Sequence, residues 1–396
     1  MLLDVMDMFR ALSRYMILLA ATVVGSTSTS ANANEDGTVP VYFGTYTSGK
    51  SQGIYQARFD GGTGTLTSPE LAAKVGNPSF LALHPEGRFL YAVGENGNFR
   101  GQNSGSIMAF SIEKPSGRLA LINEQSSVGA APCHLALDGK GRWLFVANYT
   151  GGNIAMFRVR LDGGLEAASQ IIPHRGSSID PQRQQGPHAH YICTDPSDRR
   201  VLACDLGLDK VLVYSLDPAA GTLEPNDPPS ARVYPGAGPR HLAFHPNGRV
   251  ICVINEMGSK LASFSYDADS GTLAPLHTAS TLPAGFKGKS TCAEVQIHPC
   301  GRFVYASNRG ADTIAVLTLN GRTGSMEMLQ NVLTGGKTPR HFTFDPSGKW
   351  LLAANQDSDS ITIFSVDPKT GTLQSTGNQV EVGAPVCILF QPKLGS

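Results

Sequence analysis

The chain has 396 residues, of which 44 are glycine, 25 are proline and only 16% are charged. This composition is typical of a β-rich protein with many tight turns, so we expect few helices. Lysine plus arginine and aspartate plus glutamate both number 32, and the chain therefore lacks the basic excess that nucleic-acid binding requires.

The first 33 residues differ from the rest and have the pattern of an export signal. Two arginines precede the apolar run YMILLAATVVG, and a polar stretch then ends at Ala33. We expect a signal peptide over residues 1–33 that is cleaved after Ala33, with Met8 as an alternative start. The apolar run is too short for a permanent membrane anchor. Residues 34–396 should then form one domain, monomeric, periplasmic or secreted, and not attached to the membrane.

From about Val39 onward the sequence repeats one unit seven times. Each unit contains a strand that begins at an anchor residue, usually proline, then a turn, a second strand that ends near asparagine, and a third strand. The third strand places an aliphatic residue at positions 54, 107, 154, 211, 261, 314 and 361. These intervals leave room for four short strands per unit, which is the length of a propeller blade.

The two ends of the chain complete one blade between them. The C-terminus supplies only a first strand, VCILFQP, whereas the N-terminus begins with a second strand at VYFGTY and continues through a third and a fourth. Joining them pairs strands that would otherwise be exposed edges. We therefore predict an all-β fold, a seven-bladed β-propeller from about Val39 to Pro392, whose ring is closed by the N-terminal strands completing the blade of the C-terminal strand.

The seven copies also separate structural residues from candidate functional ones. The anchors are Pro78, Pro132, Ala189, Pro239, Cys292, Pro339 and Pro385. Sixteen residues after the anchor, five of six copies have Asn or Asp, which cap turns. Two residues after it, three copies have histidine, namely His134, His241 and His341. Types that recur in this way are expected to serve the scaffold.

Two other positions share no residue type, namely the first and the seventeenth after the anchor. The start of the first strand lies beside the end of the second, so both sets should converge at the mouth of the central channel. Their reactive members are His190, Arg240, Glu256, Arg309 and Arg340. Glu294 occupies, in one blade only, the position where three others have histidine, and His188 lies in a local insertion beside His190.

These side chains suit acid and base chemistry on an anionic, oxygen-rich small molecule. Glutamate or histidine can activate water, and arginine can bind a carboxylate or phosphate and stabilise an oxyanion. The set contains more cations than acidic ligands, and no Cys/His zinc spacing occurs, so we expect neither a metal nor a cofactor. No GxSxG motif or Walker loop is present, which disfavours a serine hydrolase or nucleotide enzyme.

Four blades and the opening strands carry further irregular motifs. They are GPHAHYICTDP, GPRHLAFHPNGRVICVINE, CAEVQIHPCGRFVYASNRG and TPRHFTFDPSGKWLLAANQ, with YFGTYTSGKSQGIY at the start. Together they resemble the propeller-type lactonase family, which includes bacterial 6-phosphogluconolactonases and fungal carboxymuconate cyclases. The resemblance implies a site of one histidine, two arginines and a glutamate. The matching residues are Arg240 of GPRH, Glu256 of INE, Arg309 of SNRG and either His188 or His190 of GPHAH.

The resemblance implies hydrolysis of an aldonolactone without metal or cofactor. Glu256 or His190 would activate water, and Arg240 and Arg309 would bind the substrate and stabilise the oxyanion. The expected catalytic residues are His190, Glu256, Arg240 and Arg309, and the expected substrate-binding residues are His188, Glu294 and Arg340.

The signal peptide departs from this pattern, because 6-phosphogluconolactone is made inside cells. An unphosphorylated sugar lactone is therefore an alternative substrate. Two other functions stay open at this point. One is the muconate-lactone cyclase chemistry of the same family, and the other is a propeller that binds a partner without turnover.

Overall fold

Each sequence repeat forms one antiparallel sheet in the computed structural model, which describes residues 37–391. The closing blade contains β29 (Pro385–Phe390), β1 (Thr38–Thr45), β2 (Gly53–Asp60), β3 (Thr65–Leu66) and β4 (Glu70–Lys74). In it the last strand pairs with the first, from Val41 opposite Phe390 to Gly44 opposite Cys387. The predicted closure of the ring by the two chain ends is thereby confirmed.

The other six blades each have four strands in sequence order from the channel outward. Blade 2 contains β5 (Leu81–Leu83), β6 (Phe89–Gly94), β7 (Ser106–Ile112) and β8 (Leu119–Ser126); blade 3 contains β9 (Pro132–Leu137), β10 (Trp143–Asn148), β11 (Asn153–Val159) and β12 (Leu165–Pro173); blade 4 contains β13 (Ala189–Thr194), β14 (Arg200–Asp205), β15 (Lys210–Asp217) and β16 (Thr222–Arg232). Blade 5 contains β17 (Pro239–Phe244), β18 (Val250–Asn255), β19 (Lys260–Asp267) and β20 (Thr272–Ser280); blade 6 contains β21 (Thr291–Ile297), β22 (Phe303–Arg309), β23 (Thr313–Leu319) and β24 (Met326–Leu333); blade 7 contains β25 (Pro339–Phe344), β26 (Trp350–Asn355), β27 (Ser360–Val366) and β28 (Leu373–Glu381).

Helix is as scarce as the composition predicts. Within residues 37–391 the only helices are two 3-10 turns, Leu206–Leu208 and Gln356–Ser358. No helix of this part of the chain has the length and apolar character needed to cross a membrane. The expected signal peptide, residues 1–33, lies outside the described residues.

The apolar core lies between the blades. Seven clusters of buried apolar side chains are present, and each is shared by two neighbouring blades around the ring. Such packing requires that both faces of each sheet be covered, which explains why second strands such as β6 and β18 are almost continuously apolar. Each blade is therefore stabilised by its two neighbours.

The innermost strand of most blades has a break in register directly after its anchor. In blade 5, Pro239 faces Asn255 while His241 faces Ile254, so Arg240 is an extra residue on its strand. The corresponding extra residues elsewhere are Cys133, His190, Arg340 and Val386, with a wider break at Ala293 and Glu294. A β-bulge of this kind re-aims side chains that a regular strand would point to opposite faces.

The bulges produce two layers of side chains around the axis. We call the residues two after the anchor the floor layer and those one after it the mouth layer. Six floor residues line a channel of about 710 Å³, namely Phe80, His134, Tyr191, His241, Glu294 and His341. The aromatic rings among them pack against each other near the axis. The His134 ring centroid lies 4.0 Å from that of Phe80 and 4.1 Å from that of Tyr191.

Two floor histidines connect neighbouring blades, which confirms their predicted scaffold role. Nδ1 of His134 accepts a hydrogen bond of 3.3 Å from the backbone N–H of Ile192, and Nδ1 of His341 accepts one of 3.2 Å from that of Ile388. The third, His241, lacks this contact and instead meets the carboxyl group of Glu294.

We predict that Ile388→Ala lowers the free energy of unfolding by about 2 to 5 kcal/mol, because it leaves a cavity in the closing blade. Ile388 is 2% exposed and packs in a cluster that joins this blade to blade 7. The matched control is Leu333→Ala, since Leu333 is 70% exposed and its truncation should change stability by less than about 0.5 kcal/mol. Urea unfolding measures both, and equal effects would contradict the closure of the ring by β29.

We also predict that acid destabilises the protein through its floor histidines. Burial, aided by the charge of Arg240, lowers the pKa of His341 to about 3, while histidine in an unfolded chain titrates near 6.5. As the pH falls from about 6.5 towards 3, the unfolded chain binds a proton that the folded chain does not. Each such group lowers the unfolding free energy by about 1.4 kcal/mol per pH unit in this range.

The variant His341→Asn should therefore show a shallower pH dependence of the unfolding free energy in urea unfolding at pH 7, 6 and 5. The slope should be smaller by about 1.4 kcal/mol per pH unit. The slope is informative even if the variant is less stable at every pH. His277→Asn serves as the control, because His277 is exposed on an outer strand. An unchanged slope in His341→Asn would show that His341 is not held neutral.

Candidate active site

The mouth of the channel is organised around the carboxylate of Glu256. This residue directly follows β18, and its backbone N–H donates to the carbonyl of Gly238 at 2.7 Å, which fixes it beside the anchor of β17. Its side chain is only 7% exposed. Oε2 lies 3.1 Å from Nε of Arg240 and 2.9 Å from Nη2 of Arg309. The predicted convergence of the two variable positions on one face is thus confirmed for these three residues.

Both arginines are also held by the backbone of blade 6. Arg240 donates from Nη1 to the carbonyl of Ala293 at 2.7 Å, and Arg309 donates from Nη2 to that of Cys292 at 2.8 Å. Nε of Arg240 has no hydrogen-bond partner within residues 37–391, so its contact with Glu256 is an ion pair without hydrogen-bond geometry. The two guanidinium groups are consequently fixed independently of the carboxylate that they flank.

The charge state of Glu256 follows from these neighbours. Burial alone would raise its pKa, but the positive charges of Arg309 and Arg240 outweigh burial and hold the pKa well below its usual range. Burial in turn lowers the pKa of Arg309. A buried carboxylate is tolerated only when such partners compensate for its lost hydration. Glu256 is therefore ionised at neutral pH.

A third guanidinium, that of Arg183, was not predicted from the sequence. Its Nη2 donates to Oε1 of Glu256 at 2.8 Å and to the hydroxyl of Tyr149 at 3.0 Å. Arg183 belongs to the loop before β13, outside the register of the repeat, so a comparison of equivalent positions cannot find it. Tyr149 does occupy the variable seventeenth position, but it carries no charge. Its position five residues before His188, in the same insertion, was the one sequence feature that could have indicated Arg183 as a site residue.

The two candidate histidines lie on either side of Tyr149. His190 is buried in the mouth layer, its ring centroid 5.4 Å from that of Tyr149 and 5.3 Å from that of His241. His188 is half-buried, stacks on Tyr149 at 4.6 Å and donates from Nδ1 to the Tyr149 carbonyl at 3.0 Å. Both therefore belong to the same corner of the mouth.

The two histidines differ in what they leave available. Nδ1 of His190 has no hydrogen-bond partner within the described chain. Burial, followed by the charge of Arg240, lowers the pKa of His190 well below its usual range, so the imidazole is neutral. Nδ1 of His188, by contrast, is already bonded to a backbone carbonyl. His190 is thus the buried histidine of the two, whereas the Nδ1–H bond of His188 leaves Nε2 of His188 as its proton acceptor.

Arg340 lies on the other side of the mouth and does not contact Glu256. It donates from Nη2 to the hydroxyl of Tyr46 at 2.9 Å, and this hydroxyl donates to Oε2 of Glu95 at 2.9 Å. Ser79 donates to the same carboxylate oxygen at 2.5 Å. A space of about 10 Å³ between Arg340, Arg240 and Glu95 is about the size that one water molecule requires.

Glu294 lies in the floor layer, below the other candidates. His241 connects it to the mouth, because Nδ1 of His241 lies 3.0 Å from Oε2 of Glu294 and Nε2 lies 3.2 Å from Nη1 of Arg240. A guanidinium can only donate, so Nε2 accepts and Nδ1–H donates to Glu294. Burial raises the pKa of Glu294, which the charge of Arg240 opposes. Glu294 is thus linked to the mouth residue Arg240 through His241.

The site as a whole carries an excess of positive charge. Four arginines, at 183, 240, 309 and 340, face two glutamates, at 95 and 256, which leaves a formal charge of about +2. Within residues 37–391 no group of three or more His, Cys, Asp and Glu side chains is arranged to hold a metal ion. The arrangement suits an anionic or oxygen-rich ligand.

Comparison with known proteins identifies the family of the chain. A family model described as lactonase, seven-bladed beta-propeller, matches residues 40–390. The chain is 35% identical over 304 residues to a 6-phosphogluconolactonase of Bacillus subtilis, covering 77% of this chain and 84% of the relative. It is 32% identical over 312 residues to a 6-phosphogluconolactonase of Formosa agariphila, covering 77% and 86%.

A solved structure shares the whole architecture. The periplasmic gluconolactonase of Pseudomonas aeruginosa superposes with a TM-score of 0.85 at 35% identity, over 90% of this chain and 99% of that one. The family model and the superposed structure therefore agree with the family resemblance that the sequence motifs indicated and with the fold that the repeat predicted. The chain belongs to the seven-bladed β-propeller lactonase family.

Proposed function

We propose that this protein hydrolyses a sugar lactone of the aldonolactone class at the mouth of its channel. The observation that supports this most directly is the ionised carboxylate of Glu256, held by buried guanidinium groups beside the neutral imidazole of His190. Lactone hydrolysis needs a proton acceptor for water and positive charge for the oxyanion, and this site contains both. The names of the relatives, 6-phosphogluconolactonase and gluconolactonase, support the same chemistry.

In the proposed reaction a water oxygen bonds to the carbonyl carbon of the lactone while its proton passes to His190. The carboxylate of Glu256 stabilises the imidazolium that forms. We prefer His190 as acceptor because Oε2 of Glu256 is held between Arg240 and Arg309. The bond between the carbonyl carbon and the ring oxygen then breaks, and the ring oxygen takes the proton back, giving the open-chain hydroxy acid.

The arginines would supply the electrostatic part of catalysis. We assign stabilisation of the carbonyl oxyanion to Arg240 and Arg309, whose positions are fixed by backbone carbonyls before substrate binds. Donors fixed in advance need no reorganisation when charge develops, which makes them effective. Arg340, half-buried and held by Tyr46, would bind substrate oxygens from the opposite side, with His188 at the rim.

We further propose that the enzyme acts outside the cytoplasm. The export pattern of residues 1–33 supports this, as does the similarity to a protein described as a periplasmic gluconolactonase. Export favours an unphosphorylated lactone, whereas the excess of positive charge favours an anionic one. Assays of the mature chain on gluconolactone and its 6-phosphate, corrected for spontaneous hydrolysis, rank the two. Hydrolysis of neither would contradict the proposed activity and favour a binding role.

We predict that Glu256→Gln lowers kcat/KM for the better lactone by about 100-fold or more, because it removes the charge beside His190. Glu327→Gln, an identical change at an exposed position, should retain wild-type activity. Initial rates from a pH-indicator assay measure both, and circular dichroism verifies the fold. Undiminished hydrolysis by folded Glu256→Gln would sink the assignment.

The two histidines can be separated in the same assay. We expect His190→Asn to lower kcat by about 100-fold or more, the usual effect of losing a general base. His188→Asn should mainly raise KM, by less than about 10-fold, because it removes a rim contact only. The reverse order of effects would make His188 the proton acceptor.

A further inference from the structure

The loop between β12 and β13, residues 174–188, is fixed on the propeller, and we call it the site loop. Gln184 is fully buried and donates from Nε2 to Oδ1 of Asp209 at 2.8 Å and to the carbonyl of Leu206 at 2.9 Å. Ser178 donates to the other carboxylate oxygen of Asp209 at 2.5 Å. Arg183, the neighbour of Gln184, is thus presented by an anchored backbone.

Both ends of the site loop are fixed as well. Nδ1 of His174 lies 2.6 Å from Oδ2 of Asp205, and its Nε2 lies 3.1 Å from the hydroxyl of Tyr214. The backbone N–H of His188 donates to Oδ1 of the same aspartate at 2.8 Å. Asp205 therefore holds the first and last residues of the loop together.

The three guanidinium groups around Glu256 are not equivalent. The side chains of Arg240 and Arg309 are 3% and 15% exposed and are also bonded to backbone carbonyls. Arg183 is 41% exposed, and among the described residues its guanidinium has polar contacts only with the side chains of Glu256 and Tyr149. A half-exposed ion pair is weaker than a buried one. Arg183 is consequently the replaceable partner of Glu256.

We propose that Arg183 is a specificity-determining residue. Its guanidinium moves away from Oε1 of Glu256 and binds an anionic oxygen group on the side chain of the substrate lactone. A phosphate or a carboxylate there offers a guanidinium two acceptor oxygens, whereas Glu256 offers Arg183 only Oε1. The exchange keeps Arg183 paired and frees one oxygen of Glu256 as substrate enters. A neutral lactone offers no such replacement. The proposal rests on the proposed lactonase activity.

The test compares substrates that differ in charge. Wild type and Arg183→Gln are assayed on gluconolactone, on its 6-phosphate and on glucaro-1,4-lactone, which carries a carboxylate. We expect the substitution to lower kcat/KM for whichever anionic lactone the enzyme uses by roughly 10- to 100-fold, mainly through KM, the usual effect of losing a charged hydrogen bond. For gluconolactone the loss should be smaller, because only the pairing of Arg183 with Glu256 is removed. Phosphate and carboxylate arms show which group Arg183 binds.

Two further variants separate a binding role from a structural one. Arg183→Lys keeps the charge and should recover part of the lost KM effect. Arg175→Gln removes an exposed arginine from the same loop and should behave as wild type. An equal loss on neutral and anionic lactones, or no loss on either anionic lactone, would overturn the proposal.

A binding measurement keeps this inference separate from the proposed activity. Calorimetric titration of wild type with 6-phosphogluconate and gluconate tests Arg183 even if no lactone is hydrolysed. We expect 6-phosphogluconate to bind wild type roughly 10- to 100-fold more tightly than Arg183→Gln, with a smaller change for gluconate, which lacks the phosphate. Equal affinities of the two proteins for 6-phosphogluconate would contradict the role of Arg183, whereas absent turnover with the expected binding would contradict only the lactonase proposal.

Discussion

The register shift at the start of the innermost strands is the constraint on which the site depends. A regular strand would turn neighbouring side chains to opposite faces, and Arg240 and His241 could not both face the axis. The bulge between Pro239 and His241 allows it, and the same break recurs around the ring. The channel thereby acquires a mouth layer that differs from blade to blade above a floor layer in which histidine recurs. His190, Arg240 and Arg340 are all extra residues of such bulges, so these positions can vary without loss of strand pairing.

The electrostatics of the mouth follow from this geometry. Glu256 would be unfavourable at 7% exposure without partners, and Arg240 and Arg309 approach it from two different blades. The interlocking of neighbouring blades therefore fixes the charges as well as the apolar core. His241 extends the same network downward, since it joins Arg240 to Glu294 and so links the mouth to the floor. A site of this kind is organised before substrate arrives.

The sequence was sufficient for the fold because seven copies of one unit repeat its strands, its turns and its interrupted blade. It also predicted that Glu256, Arg240 and Arg309 converge, since their reactive side chains occupy positions where the other copies vary. A comparison of equivalent positions could not identify Arg183 as a site residue, because its loop has no equivalent in the other blades. Nor could it show that Arg340 donates to Tyr46, which in turn donates to Glu95, because the direction of a long side chain depends on its neighbours in three dimensions.

We propose that lactones react at the mouth, beside Glu256 and His190, and not in the larger channel below the floor layer. The most direct test is a crystal structure of the protein with a lactam analogue of gluconolactone, whose ring cannot be hydrolysed. We expect the lactam carbonyl carbon to lie above Glu256 and His190, with its oxygen bonded to Arg240 or Arg309. A lactam bound only in the channel of about 710 Å³ lined by His134 and Tyr191 would contradict this assignment.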